Sequence, residues 1–118
     1  MSEDKMKLLE KLILYGKIEK DLKIGDFVFT VKTMSDEENR ELYSNMVESE
    51  NKIERSLKIR KELIARSITK INGIEVSYED IVNIISKWQF SLVEKIIDFI
   101  NDISKEQSSF LSGEEIKN

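Results

Sequence analysis

Apolar residues open the chain at helical spacing: Met6, Leu8, Leu9, Leu12 and Ile13 recur every three or four positions. The spacing predicts a short amphipathic helix from Lys5 to Tyr15, stopped at Gly16, which suits a left-handed C-terminal cap. A strand over Leu12 to Tyr15 is the alternative reading. The period then changes. Ile18, Leu22 and Ile24 alternate with polar positions, Gly25-Asp26 interrupts, and Phe27, Phe29 and Val31 alternate with Val28, Thr30 and Lys32. Two alternating runs around a Gly-Asp pair predict a β-hairpin, because glycine at the first turn position permits type II′ geometry. An isolated hairpin is marginally stable, so its phenylalanine face must rest on helices or on another chain.

Ser35-Asp36-Glu37-Glu38 has the form of a capping box, with Glu38 reaching back to the serine N–H and an acidic first turn that complements the helix dipole. The helix it starts carries Leu42, Tyr43, Met46 and Val47 on one side and breaks or kinks around Ser49-Glu50-Asn51. From Ile53 to Ile71 the apolar set Ile53, Leu57, Leu63, Ile64, Ile68 and Ile71 predicts a further helix, ended by Asn72-Gly73. Ile74 to Val76 reads as a small strand that could widen the hairpin. Ser77 leads a helix with Ile81, Ile84, Ile85 and Trp88, and Ser91 leads another with Val93, Ile96, Ile97, Ile100 and Ile103. The expected fold is therefore α+β: an N-terminal β-hairpin packed on a mostly helical domain of four to five helices. Residues 1–106 form one domain in this reading. Residues 107–118 form a flexible tail whose apolar pair, Phe110-Leu111, has the shape of a docking anchor.

Composition narrows the chemistry. Cysteine and histidine are both absent from the 118 residues, which removes disulfides, thiolate nucleophiles, sulfur-based zinc sites and catalytic triads built on histidine. The four glycines, Gly16, Gly25, Gly73 and Gly113, lie too far apart to cradle a phosphate. Asp36, Glu37, Glu38, Glu79 and Asp80 cluster only at helix starts, where capping accounts for them, and lack the alternating ligands of a calcium loop. No catalytic, cofactor-binding or metal-ligating residue is expected, and the chain reads as a non-enzyme. The N-terminus lacks the positive start and long apolar stretch of a secretory signal, and no apolar run reaches the roughly 18 residues that span a bilayer. An intracellular protein without a membrane partner is expected.

The formal net charge of −4 disfavours general nucleic-acid affinity. One stretch runs against it: Lys52 to Lys70 is basic, and Arg55, Lys58, Lys61 and Arg66 could follow phosphates as an accessory nucleic-acid-binding surface. The competing reading sets this helix antiparallel to the acidic one before it. No aromatic residue lies among these cations to stack on bases.

The order of these segments resembles a family. The hairpin from Gly16 to Lys32 leads into Thr33-Met34-Ser35-Asp36-Glu37-Glu38, then a polar helix. Leu63-Ile64-Ala65-Arg66-Ser67-Ile68 and Ile71-Asn72-Gly73 follow, and two amphipathic helices complete the pattern. It is similar to the small tail assembly chaperones, and to related tail and baseplate morphogenesis proteins, of tailed bacteriophages and prophages. Met34-Ser35 stands where a leucine-threonine pair is more usual. The resemblance implies a non-catalytic virion-assembly role in the host bacterial cytoplasm, with tape-measure, tail-tube or baseplate proteins as partners, and self-association. It leaves open whether the protein stays in the mature particle. By the same analogy, protein-binding surfaces are expected on the hairpin face (Phe27, Phe29, Val31) and on the last helix (Ile96, Ile100, Ile103); Phe110 and Leu111 are a further candidate from the residues alone, as a docking anchor or else part of a fraying terminus.

Overall fold

A computed structural model describes residues 3–44 and 51–116, with side chains up to residue 112. The elements run α1 (Glu3–Leu14), β1 (Glu19–Ile24), β2 (Phe27–Lys32), α2 (Asp36–Ser44), α3 (Lys52–Ser67), β3 (Ile68–Ile71), β4 (Ile74–Glu75), α4 (Tyr78–Ile84) and α5 (Phe90–Ile116). A single 3₁₀ turn, Ile85–Lys87, joins the last two helices. The strands form one antiparallel sheet in the order β1-β2-β3-β4, so the fold is α+β.

The first hairpin forms as its alternation predicts. Leu22 stands opposite Phe29, and Ile24 opposite Phe27. Of the two turn residues only Gly25 has positive φ, 59°, which is the type II′ pattern. The base of the hairpin is closed twice: Thr33 N–H donates to the Ile18 carbonyl at 2.9 Å, and Ile18 N–H donates to Thr33 Oγ1 at 3.1 Å.

The second half of the sheet differs from expectation. The helix ends at Ser67, and Asn72-Gly73 is not its stop but the turn of a second hairpin, β3-β4. Both turn residues have positive φ, 52° and 78°, as a type I′ turn requires. Asn72 also ties this turn to β2, accepting at Oδ1 from Val28 N–H at 2.7 Å while its own N–H donates to the Val28 carbonyl at 2.8 Å. The helical spacing of Ile64, Ile68 and Ile71 is explained by an irregularity in the ladder. Phe29 pairs with Ile71 but Val31 pairs with Ile68, so Thr69 is an extra residue on β3. Such a bulge reverses the alternation once. Ile68 and Ile71, three apart, thus face the core together.

Between α2 and α3, residues 45–50 lie outside the described set, and with them Met46, Val47 and most of the expected break. Both flanking caps are in place: Ser35 and Glu38 close the capping box (Ser35 N–H to Glu38 at 2.9 Å, Glu38 N–H to Ser35 Oγ at 3.2 Å), and Asn51 Oδ1 accepts from Glu54 N–H at 2.8 Å. Ser77 and Asp80 form the box that starts α4. Ser91 does not cap α5. That helix begins at Phe90, and the Gln89 carbonyl accepts from both Leu92 and Val93 N–H. Nor does a tail begin at residue 107. The helix continues to Ile116, because its polar run contains no glycine before Gly113 and keeps Ile103, Gln107 and Phe110-Leu111 at helical spacing.

The core lies under one face of the sheet. Phe29, Val31 and Ile68 meet the α5 stripe Ile96, Ile100 and Ile103, with Ile64 and Ala65 of α3, Ile81 of α4 and Ile85 closing the side. The opposite sheet face is polar, with Asp21 accepting from the Thr30 hydroxyl at 2.7 Å.

Candidate functional site

The expected binding residues divide sharply. Phe29, Val31, Ile96, Ile100 and Ile103 are buried in the core and present nothing to a partner. The hairpin face and the α5 stripe were expected as surfaces; they are each other's partner. Phe27, Phe110 and Leu111 are exposed.

The basic helix is largely engaged within the molecule. Arg66 is held by Glu41 of α2 at 2.6 Å and by Glu62 at 3.1 Å, and its guanidinium lies 4.6 Å from the centre of the Tyr78 ring. The Tyr78 hydroxyl donates to the other Glu62 oxygen at 2.5 Å. Burial, helped by the bond to Glu62 and its charge, pushes the Tyr78 hydroxyl above its ordinary pKa. Burial alone would lower the Arg66 pKa, but the hydrogen bonds to Glu41 and Glu62 outweigh it and raise the value. The tyrosine is therefore neutral and the arginine charged at any physiological pH. The cluster is a clamp joining α2, α3 and α4. Arg60 pairs with Glu94 of α5, while Arg55 and Lys58 have partners of their own.

Two exposed apolar surfaces stand out among the described residues. The first is a groove of about 460 Å³ lined by Leu57, Arg60, Lys61, Ile85, Trp88 and Phe90, with Ser86 and Val93. Its floor follows from the joint between α4 and α5. The chain tightens into the 3₁₀ turn and then extends at Trp88 (φ −72°, ψ 153°), which turns the indole back onto Phe29, edge to face at 6.1 Å. Phe90 starts α5 beneath the Arg60 guanidinium, 5.2 Å from its ring centre, and is nevertheless 67% exposed. Leu57 across the groove is 56% exposed, and Ile53 and Ile84 are exposed as well. Trp88 and Phe90 look like core residues in the sequence because both flank an amphipathic helix. Their placement at a joint between helices carries no periodic signal.

The second surface is α1. None of its residues is buried: Met6, Leu8, Leu9, Leu12, Ile13 and Leu14 are all exposed. The chain just beyond its C-terminal end is tethered to α5. There Tyr15 meets Phe110 at 5.9 Å between ring centres, Leu111 lies against Gly16, and Gln107 Nε2 donates to the Gly16 carbonyl at 3.0 Å. The radius of gyration, 16.5 Å, exceeds the about 13.5 Å of a compact chain of this length.

Among the described residues no group of three or more acidic side chains is placed to hold a metal ion, and no helix is long and apolar enough to cross a membrane. The groove and α1 are exposed surfaces built largely from apolar and aromatic side chains, with charge at their margins. Compared with known protein families, with curated proteins and with solved structures, the chain matches none.

Proposed function

We propose that this protein is a non-catalytic binding protein whose working site is the groove between α3 and the α4–α5 joint, and that its client is an amphipathic helix. The observation that carries this reading is the exposed pair Phe90 and Leu57 facing each other over an anchored Trp88. Tryptophan, arginine and other large side chains in a water-excluding setting are the usual carriers of binding energy. A groove of this size takes the apolar face of a helix at two or three anchor positions. Trp88 and Arg60 are already fixed by Phe29 and Glu94, so little side-chain freedom is lost on binding.

The resemblance to tail assembly chaperones supplies the client class. A tape-measure protein is long and helical and offers many such faces, so the proposed setting is phage tail assembly in the bacterial cytoplasm, with tail-tube or baseplate proteins as further partners. The test is co-expression of the tagged chain with the longest helical product of its gene neighbourhood. A complex that survives high salt is the expected result, and Phe90→Asp or Leu57→Glu should weaken it by at least about tenfold, the loss of one strong anchor. Neither side chain is buried, so circular dichroism should show both variants folded. Capture that ignores both substitutions would overturn the groove as the site. Failure to capture any helical client, with nucleic acid retained at low salt, would overturn the function.

A further inference from the structure

We propose that α1 pairs antiparallel, about a two-fold axis, with α1 of a second copy of this chain. The helix is about 18 Å long at 1.5 Å per residue and presents Met6, Leu8, Leu9, Leu12 and Ile13 as an unburied stripe. A contiguous apolar face on a projecting element marks a contact surface. Charge identifies what covers it. Asp4 and Lys11 are seven residues apart, so they lie within about 20° of each other on one border of the stripe, two turns apart along the axis. In a parallel pair this border would meet the opposite border of the partner, setting Asp4 beside an acidic neighbour, Glu3. In an antiparallel pair the border meets its own copy reversed. Asp4 of each chain then faces Lys11 of the other, and symmetry makes the contact twice.

The register this fixes has its centre between Lys7 and Leu8. It sets Leu9 of each chain over Met6 of the other, with Leu8 beside the axis. On the other border Glu3 and Glu10 stand four and three residues from Lys7, within reach of their own chain's cation. The antiparallel arrangement also brings the acidic first turn of one helix beside the basic last turn of the other, opposite dipole ends together. The pairing requires neither the groove nor any client.

The experiment is sedimentation equilibrium of the full chain over a concentration series. A monomer–dimer equilibrium is expected. Asp4→Lys and Lys11→Asp should each weaken it by about tenfold, since each change replaces two attractive pairs with two repulsive ones. The double variant D4K/K11D re-forms both pairs and should dimerise more tightly than either single variant. Simple fraying gives the opposite order, because each reversal opposes the helix dipole and the double variant would then be the weakest. No residue of α1 is buried, so all three variants keep the fold. A chain that stays monomeric throughout, a dimer indifferent to the single reversals, or a double variant weaker than both singles would overturn the proposal.

Discussion

Helices α1 and α5 are written in the same pattern and have opposite fates. Met6, Leu9 and Ile13 recur three and four residues apart, as Ile96, Ile100 and Ile103 recur four and three apart, yet every member of the first set is exposed and every member of the second buried. Periodicity states that one face of a helix is apolar; it does not state what covers that face. Topology decides. α5 follows the second hairpin and α4, runs back under the sheet, and finds Phe29 and Val31 waiting on β2. α1 precedes the sheet, and the residues that meet α5 are Tyr15 and Gly16 (φ 82°), just beyond its end. Of these two helices, α5 therefore contributes to the core and α1 keeps its apolar stripe exposed.

The largest expected effect tests the buried member. Ile100→Ala should destabilise the fold by about 2–5 kcal/mol, the range for deleting a large aliphatic side chain from a packed core, as measured by urea denaturation. A loss under about 1 kcal/mol, the range of a well-tolerated swap, would mean that α5 is not the keystone of the core. An intermediate effect belongs to Glu38, whose carboxylate is partly covered by Lys32 and by its own capping box. Burial alone would raise its pKa, but the Lys32 ammonium at 2.7 Å and the Ser35 N–H overcome this and hold it below the ordinary carboxylate value. With a depressed folded-state value, the unfolded chain takes up the proton first. The stabilisation is complete above the ordinary glutamate pKa and is lost as pH falls through the folded value. Glu38→Gln can keep the reciprocal capping bond but removes the charge facing Lys32, and should cost up to about 1 kcal/mol at neutral pH, the range of a partly exposed ion pair. It should also flatten this part of the acid dependence of thermal melting. An unchanged pH profile would deny the capping box its electrostatic share.

How much was legible in the sequence follows the same division. Signals fixed by neighbouring residues could be read directly: the type II′ turn at Gly25, the boxes at Ser35 and Ser77, the stop at Gly16. Ile68 and Ile71 could not be read correctly, because the bulge at Thr69 gives a strand the spacing of a helix. Asn72-Gly73 was available as a hairpin signal, but it follows a long amphipathic helix, where the same pair also reads as a C-terminal stop. The burial of Phe29, Val31 and the α5 stripe was hidden for a deeper reason. An apolar face that covers a core and one left exposed have the same composition, so Phe29, Val31 and Ile100 were indistinguishable from Phe90 and Leu57 until the topology put the first three against one another. The clamp of Glu41, Glu62, Arg66 and Tyr78 was equally hidden. Its members are contributed by three helices and share no local spacing beyond Glu62 and Arg66.

The smallest effect tests the exposed member and is the most discriminating. In dilute protein Leu12→Ala should change folding stability by less than about 0.5 kcal/mol, the range for surface substitutions, despite removing as much apolar bulk as many a core deletion. Alanine is the better helix former, which offsets part of the lost contact with neighbouring turns. The same substitution should matter more as concentration rises, because a dimer that binds only the folded chain stabilises it by mass action. Melting of the unaltered chain should therefore rise with concentration, and that of Leu12→Ala should rise less. A substantial loss already present in dilute solution would instead place Leu12 against its own domain, and the contrast between α1 and α5 would reduce to two buried helices of unequal length.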